Sequence, residues 1–93
     1  MDKLQLFNGL IMVVTPVNSM GATATSLDQP LAETGLDSLD LLMIGIYLSD
    51  IYGVSEEIAK TMQATTVNDM FVFMEQHATK TPTNIEEALE SVK

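Results

Sequence analysis

Ser38 lies in the stretch Gly35-Leu36-Asp37-Ser38-Leu39, at the head of an apolar run that reaches Gly53. Three kinds of chemistry are open to a serine there. As a nucleophile it needs a base, and the chain's single imidazole, His77, lies far along the sequence, so a serine–histidine relay is not in prospect. As a helix cap it stabilises by about 1 kcal/mol, a role that Asp37 can fill equally well. The third follows from a helix N-terminus, whose unpaired N–H groups and positive dipole end favour a phosphate. A hydroxyl at this spot is well placed to carry a phosphodiester.

The elements that must position this serine read as helices. Asp2 can cap a first one, with Leu4, Phe7, Leu10 or Ile11, and Val14 on one face. Pro16 ends or kinks it, although residues 10–15 also fit a short strand and Gly9 weakens a helix. Residues 18–37 are rich in Ser, Thr, Gly, Asn and Asp and form a long loop, which Leu27, Leu31 and Leu36 can pin to a core. A loop of that length in a small domain is more often functional than idle.

The second helix starts at Asp37 or Ser38 and ends at Gly53, a natural residue to follow a helix. Ser55 caps a short third helix with Glu56 and Glu57 in its first turn, where acids complement the dipole; Ile58 and Met62 follow one turn apart. Thr65 or Thr66 caps a fourth, in which Thr66 and Asp69 make a capping box. Val67, Met70, Phe71 and Met74 then repeat at i, i+3, i+4 and i+7. Beyond Thr79 the chain turns polar. Residues 80–93 are either a frayed tail or a short helix carrying Ile85, Ala88, Leu89 and Val92, capped by Thr83 or Asn84.

Stepping the second helix by 100° per residue separates two apolar faces. Leu41, Ile44, Leu48, Ile51 and Tyr52 gather on one side, and Leu39, Leu42, Met43 and Ile46 on another. Either the helix is packed all round or one stripe is exposed. A chain of 93 residues has few other elements to cover a second stripe, so we expect the second set to stay partly exposed and meet a partner. Methionine suits a surface that accepts several partners, and Asp40 and Asp50 give it polar margins.

Composition narrows the function further. The length suits a single small core. With no cysteine there is neither a disulfide framework nor a thiolate metal site. The net charge is −9, and seven acids but no Lys or Arg lie between Lys3 and Lys60. Nucleic-acid binding would need a basic footprint, which is missing. The acidic surface either steers basic partners or serves solubility. Ala22-Thr23-Ala24 has the shape of a secretory cleavage site, but Asp2 offsets Lys3 and the apolar run at residues 10–14 is short. No segment is long enough to span a membrane, and a cytoplasmic location is expected.

The Gly35-Leu36-Asp37-Ser38-Leu39 pentapeptide resembles the attachment motif of acyl and peptidyl carrier proteins, in which the serine receives 4′-phosphopantetheine. The likeness extends to Asp28-Gln29-Pro30-Leu31, the long second helix, the short acidic third helix and Thr65-Thr66-Val67 at the fourth. It covers about residues 4–77.

The resemblance implies an all-α fold: a small four-helix bundle over residues 1–79, with a long loop between helices one and two and a short helix three. It implies a non-enzymatic carrier that shuttles thioester-bound intermediates from a phosphopantetheine arm on Ser38. Its partners would be a phosphopantetheinyl transferase and acyl-loading, modifying and transferring enzymes, served by a monomer. Docking would involve Asp37, Leu39, Asp40, Leu42, Met43, Ile46, Glu56 and Glu57, and the core-facing set could line a space for an acyl chain.

The chain departs from fatty-acid-synthesis members in having Leu, Met and Ile where helix two usually carries glutamates, and Thr34 where an apolar residue is common. A specialised polyketide, peptide, lipid, fatty-acid-like or other pathway therefore fits better than housekeeping fatty-acid synthesis. The alternative is an unmodified bundle of the same fold that binds a partner through helix two. Glu56 and Glu57 read as first-turn residues rather than a catalytic pair.

Overall fold

Helix caps and apolar spacing place five helices in the computed structural model, which describes residues 2–14 and 23–92. They are α1 (Lys3–Val14), α2 (Ser38–Tyr52), α3 (Glu56–Ala59), α4 (Val67–His77) and α5 (Ile85–Glu90), with a 3-10 turn at Leu31–Glu33. The fold is all-helical: among the described residues the only β-type pairing is one isolated bridge between Pro30 and Thr66. Its radius of gyration, 12.0 Å, is close to the ~12 Å of a compact domain of this length. Pro16, and Ala22 of the Ala22-Thr23-Ala24 triplet, fall outside the described residues.

Asp2 caps α1, its Oδ1 accepting from the Leu4 and Gln5 N–H groups. The described part of the stretch that also fitted a strand is helical to Val14. Its buried face is Leu6, Phe7, Leu10 and Ile11, while Leu4 and Val14 are only half-buried. Gly9 has a packing reason. A Cβ there would lie 2.8 Å from Cδ1 of Leu89, so α5 comes closer to α1 than a side chain would allow. The terminal residues thus form a helix capped by Asn84, whose Oδ1 accepts from Glu87 N–H, with Ala88 buried.

Phe71 on α4 stands in the middle of the core, edge-on to Phe7 at 6.4 Å and to Tyr52 at 6.5 Å. Ile44, Leu48, Ile51 and Tyr52 of α2 join Val67, Met70 and Met74 in the same cluster. Each such large apolar side chain stabilises by roughly 1.5–3 kcal/mol when fully buried. At the far end of α2, Gly53 adopts the left-handed conformation (φ 67°) that ends a helix cleanly. Thr79 and Lys80 N–H both donate to the Tyr52 carbonyl, and the Thr79 hydroxyl donates to that of Gly53.

The loop leading to Ser38 is fastened at both ends of its path. Asn8 of α1 grips Ala24 twice, its Nδ2 donating to the carbonyl and its Oδ1 accepting from the N–H. Further on, Leu31 N–H donates to the Thr65 carbonyl, while Val67 and Asn68 N–H donate to Gln29 and Leu27 carbonyls. These last two are N–H groups that α4 cannot satisfy within itself. Thr34 is a polar residue in the core. Its hydroxyl donates to the Leu31 carbonyl at 2.7 Å and accepts from Leu36 N–H at 3.4 Å, so no polar atom is left unpaired.

The capping box of α4 is formed: Thr66 Oγ1 accepts from Asp69 N–H, and Asp69 Oδ2 accepts from the Thr65 and Thr66 N–H groups. These two backbone bonds hold the Asp69 carboxyl below the usual carboxylate range. A depressed folded pKa stabilises the fold at pH values above the ordinary carboxylate range, and the contribution disappears as pH falls through the folded value. Urea unfolding of wild type and Asp69→Asn across the acid range should show a stability difference that grows with pH through that window and is level above it.

Candidate functional site

Asp37 is the residue that caps α2; its Oδ1 accepts from Asp40 N–H at 2.8 Å. Ser38 is therefore the first helical residue, and its side chain is exposed. The hydroxyl has no hydrogen-bond partner among the described residues, and neither the Ser38 nor the Leu39 N–H is given an acceptor there. These free donors, at the positive end of a 15-residue helix, suit an anion carried on the serine. Asp37 and Asp40 sit at the same end and oppose it in part.

A cavity of about 380 Å³ opens beside the serine, between α2 and α3. Ser38, Leu41, Leu42, Gly45 and Ser49 line it, in the series i, i+3, i+4, i+7 and i+11, with Ile46 alongside. They form one stripe of α2, about 16 Å long at 1.5 Å per residue, that runs down from the serine. The opposite walls are Leu31, Ala59, Met62, Ala64 and Met70, and Glu56 and Lys60 also line the cavity with exposed side chains. Ser49 is buried, but its hydroxyl is engaged, donating to the Ile46 carbonyl at 2.6 Å. The walls are thus mainly apolar.

The cavity exists because α3 is small and loosely seated. This four-residue helix, capped by Ser55, buries none of its residues. Ile58 turns outward with Glu56 and Glu57. Met62, one turn on, points inward instead, its methyl 3.3 Å from where a Gly45 Cβ would be; the Met70 methyl lies at 3.9 Å. Glycine inside a helix costs about 1 kcal/mol relative to alanine. Here its bare backbone gives room to two methionines.

The outward face of α2 is uneven. Leu39 and Leu42 are 63% and 60% exposed, whereas Met43 and Ile46 are half-buried. Asp37 and Asp50 are exposed and Asp40 is half-buried. The core face is also interrupted: Ile44, Leu48, Ile51 and Tyr52 are buried, but Leu41 is half-buried and faces the cavity. Sequence reasoning gave no part to Gly45, Ser49, Met62 or Met70 in the site. The signal was available, since Gly45 and Ser49 are small residues on the same helical stripe as Ser38.

The remaining ionisable features lie elsewhere. His77 ends α4 with its ring 4.7 Å from that of Phe73. A second cavity, of about 360 Å³, is lined by Lys3, Tyr52, Glu75, Ala78, Thr81 and Pro82, at the opposite end of α2. Burial, and then the Glu75 charge, push the Tyr52 hydroxyl above its ordinary pKa. Lys3 pairs with Glu75 at 2.8 Å. Among the described residues no helix is long and apolar enough to cross a membrane, and no cluster of three metal-ligating side chains forms. No family model matches the chain, and neither a curated protein nor a solved structure matches it.

The two faces of α2 differ in what they contribute to folding. Leu48→Ala should cost about 2–5 kcal/mol in urea unfolding, and Leu39→Glu no more than about 0.5 kcal/mol. Met43→Glu and Ile46→Glu should fall between these and keep the helical circular dichroism.

Proposed function

We propose that this chain is a carrier protein in which Ser38 bears a 4′-phosphopantetheine arm. One observation carries the reading. The serine of a carrier-like Gly35-Leu36-Asp37-Ser38-Leu39 motif begins α2 with an exposed, unpartnered hydroxyl at the head of a mainly apolar cavity. The fold is read as the four-helix bundle of that family, made by α1, α2, α3 and α4, with α5 added against α1.

Within this reading each residue has a stated task. Ser38 supplies the oxygen to be esterified, and the Ser38 and Leu39 N–H groups offer donors to the phosphodiester. Asp37 fixes the start of the helix, which keeps those donors pointing outward. Leu39, Leu42, Met43 and Ile46 form the apolar part of a docking face, and Asp37, Asp40, Glu56 and Glu57 attract basic residues on visiting enzymes. When bound, the arm supplies a thiol on which an acyl group is held as a thioester. Leu41, Ile46, Met62 and Met70 can shelter that acyl group from water.

A second reading draws on the exposure of Leu39 and Leu42: the bundle binds a partner through α2 without being modified. Incubation with coenzyme A and several phosphopantetheinyl transferases, followed by intact mass, separates the two. The carrier reading expects a gain of one phosphopantetheine unit that vanishes in Ser38→Ala, and slower gain in Met43→Glu and Ile46→Glu. An unchanged mass with every transferase would leave the binding-only reading.

A further inference from the structure

Gly45 is a buried glycine within a helix, with helical rather than left-handed geometry, so no backbone strain requires it. What it provides is space. It lies on the stripe below Ser38, two turns in, where the Met62 and Met70 methyl groups line the cavity beside it. The Met62 methyl is the free end of an unbranched side chain with three rotatable bonds, which can swing aside without moving the backbone, whereas Met70 is buried in the core. Met62 is only half-buried and belongs to the segment that follows the loosely seated α3. The floor of the cavity is therefore movable on one side and bare backbone on the other.

We propose that Gly45 is the specificity-determining position for the length of the chain carried from Ser38. Resting on the carrier reading, this assigns the cargo to flexible aliphatic acyl groups: a short one stops above the Met62 methyl, and a longer one displaces it and lies along the Gly45 backbone beside Met70. A polar cargo group finds few partners there, because the Ser49 hydroxyl already donates its proton to the Ile46 carbonyl and the charged lining residues, Glu56 and Lys60, are exposed. A side chain at position 45 occupies the path. An alanine Cβ would sit 3.3 Å from the Met62 methyl, which the methionine can relieve by rotating, whereas valine would fill the passage.

The test loads Ser38 from butyryl-, octanoyl- and palmitoyl-coenzyme A with a permissive transferase and reads two properties of the intact protein. These are the melting temperature and the ¹³C-methyl resonances of Met62 and Met70. In wild type, lengthening the acyl group from butyryl to octanoyl should raise the melting temperature and shift both methyl resonances. In Gly45→Ala both responses should shrink, and in Gly45→Val the octanoyl form should match the butyryl form. Met62→Ala should move the response to longer chains. If Gly45→Val does not fold, Gly45→Ala and Met62→Ala decide. A length profile unchanged across the folded variants would overturn the proposal while leaving the carrier reading intact. Failure of Ser38 to load would overturn the carrier reading itself. With no chain carried from Ser38, the length role of Gly45 falls with it, whereas the unchanged length profile overturns that role alone.

Discussion

A 15-residue helix that is apolar on two sides, of which the described residues cover one and only part of the other, is the constraint from which the rest follows. Ile44, Leu48, Ile51 and Tyr52 are buried in the core that includes Phe7, Phe71 and Met74, and that packing fixes how α2 is rotated. Once the rotation is fixed, Leu39 must face outward and the stripe headed by Ser38 must face α3, with Leu42 exposed at its edge. The exposure of the outward leucines is thus a consequence of core packing. The docking face proposed above rests on that exposure.

The neighbours of α2 differ in how firmly they are held, and the difference gives the site its character. The long loop is joined to the start of α4 by backbone hydrogen bonds from Leu31, Val67 and Asn68, and to α1 through Asn8. Gly35, at φ 85°, then turns the chain into the Asp37 cap. Ser38 is accordingly placed by well-satisfied structure. By contrast α3 buries nothing of its own, the mark of an element that opens at low free energy. A rigid serine beside a loosely seated wall is an arrangement in which an attached group can be sheltered and released without unfolding the core.

Much of this was legible in the residues. Asp37 and Gly53 bound α2, Ser55 caps α3, and the Thr66–Asp69 box opens α4, because short polar side chains and glycine act locally where backbone groups lack partners. The core stripe of α4 is the one its spacing predicts. Less legible were features that depend on distant backbone. Leu6 lies beside Phe7 and is buried because α1 meets neighbours over a broader face than one stripe. Gly9 reads as a weak point until Leu89 is seen against it. Thr34 is admitted to the interior by two local hydrogen bonds, which hydropathy does not register. A space for an acyl chain was expected along the core-facing set, yet of that set only Leu41 lines the cavity; two apolar faces were counted on α2, while the narrow stripe of small residues between them, Gly45 and Ser49, was passed over.

Thr34, the leucine-rich face of α2 and the methionine floor set this chain apart from a carrier of the glutamate-lined kind, yet none of them touches the serine's own geometry. The account therefore stands or falls on what Ser38 carries in the cell. The most direct measurement is the intact mass of the protein purified from its own cells, with fragmentation to locate any added group. The account predicts a covalent group of phosphopantetheine plus acyl mass on the fragment containing Ser38. A protein of bare sequence mass, from cells that modify other carriers, would contradict it.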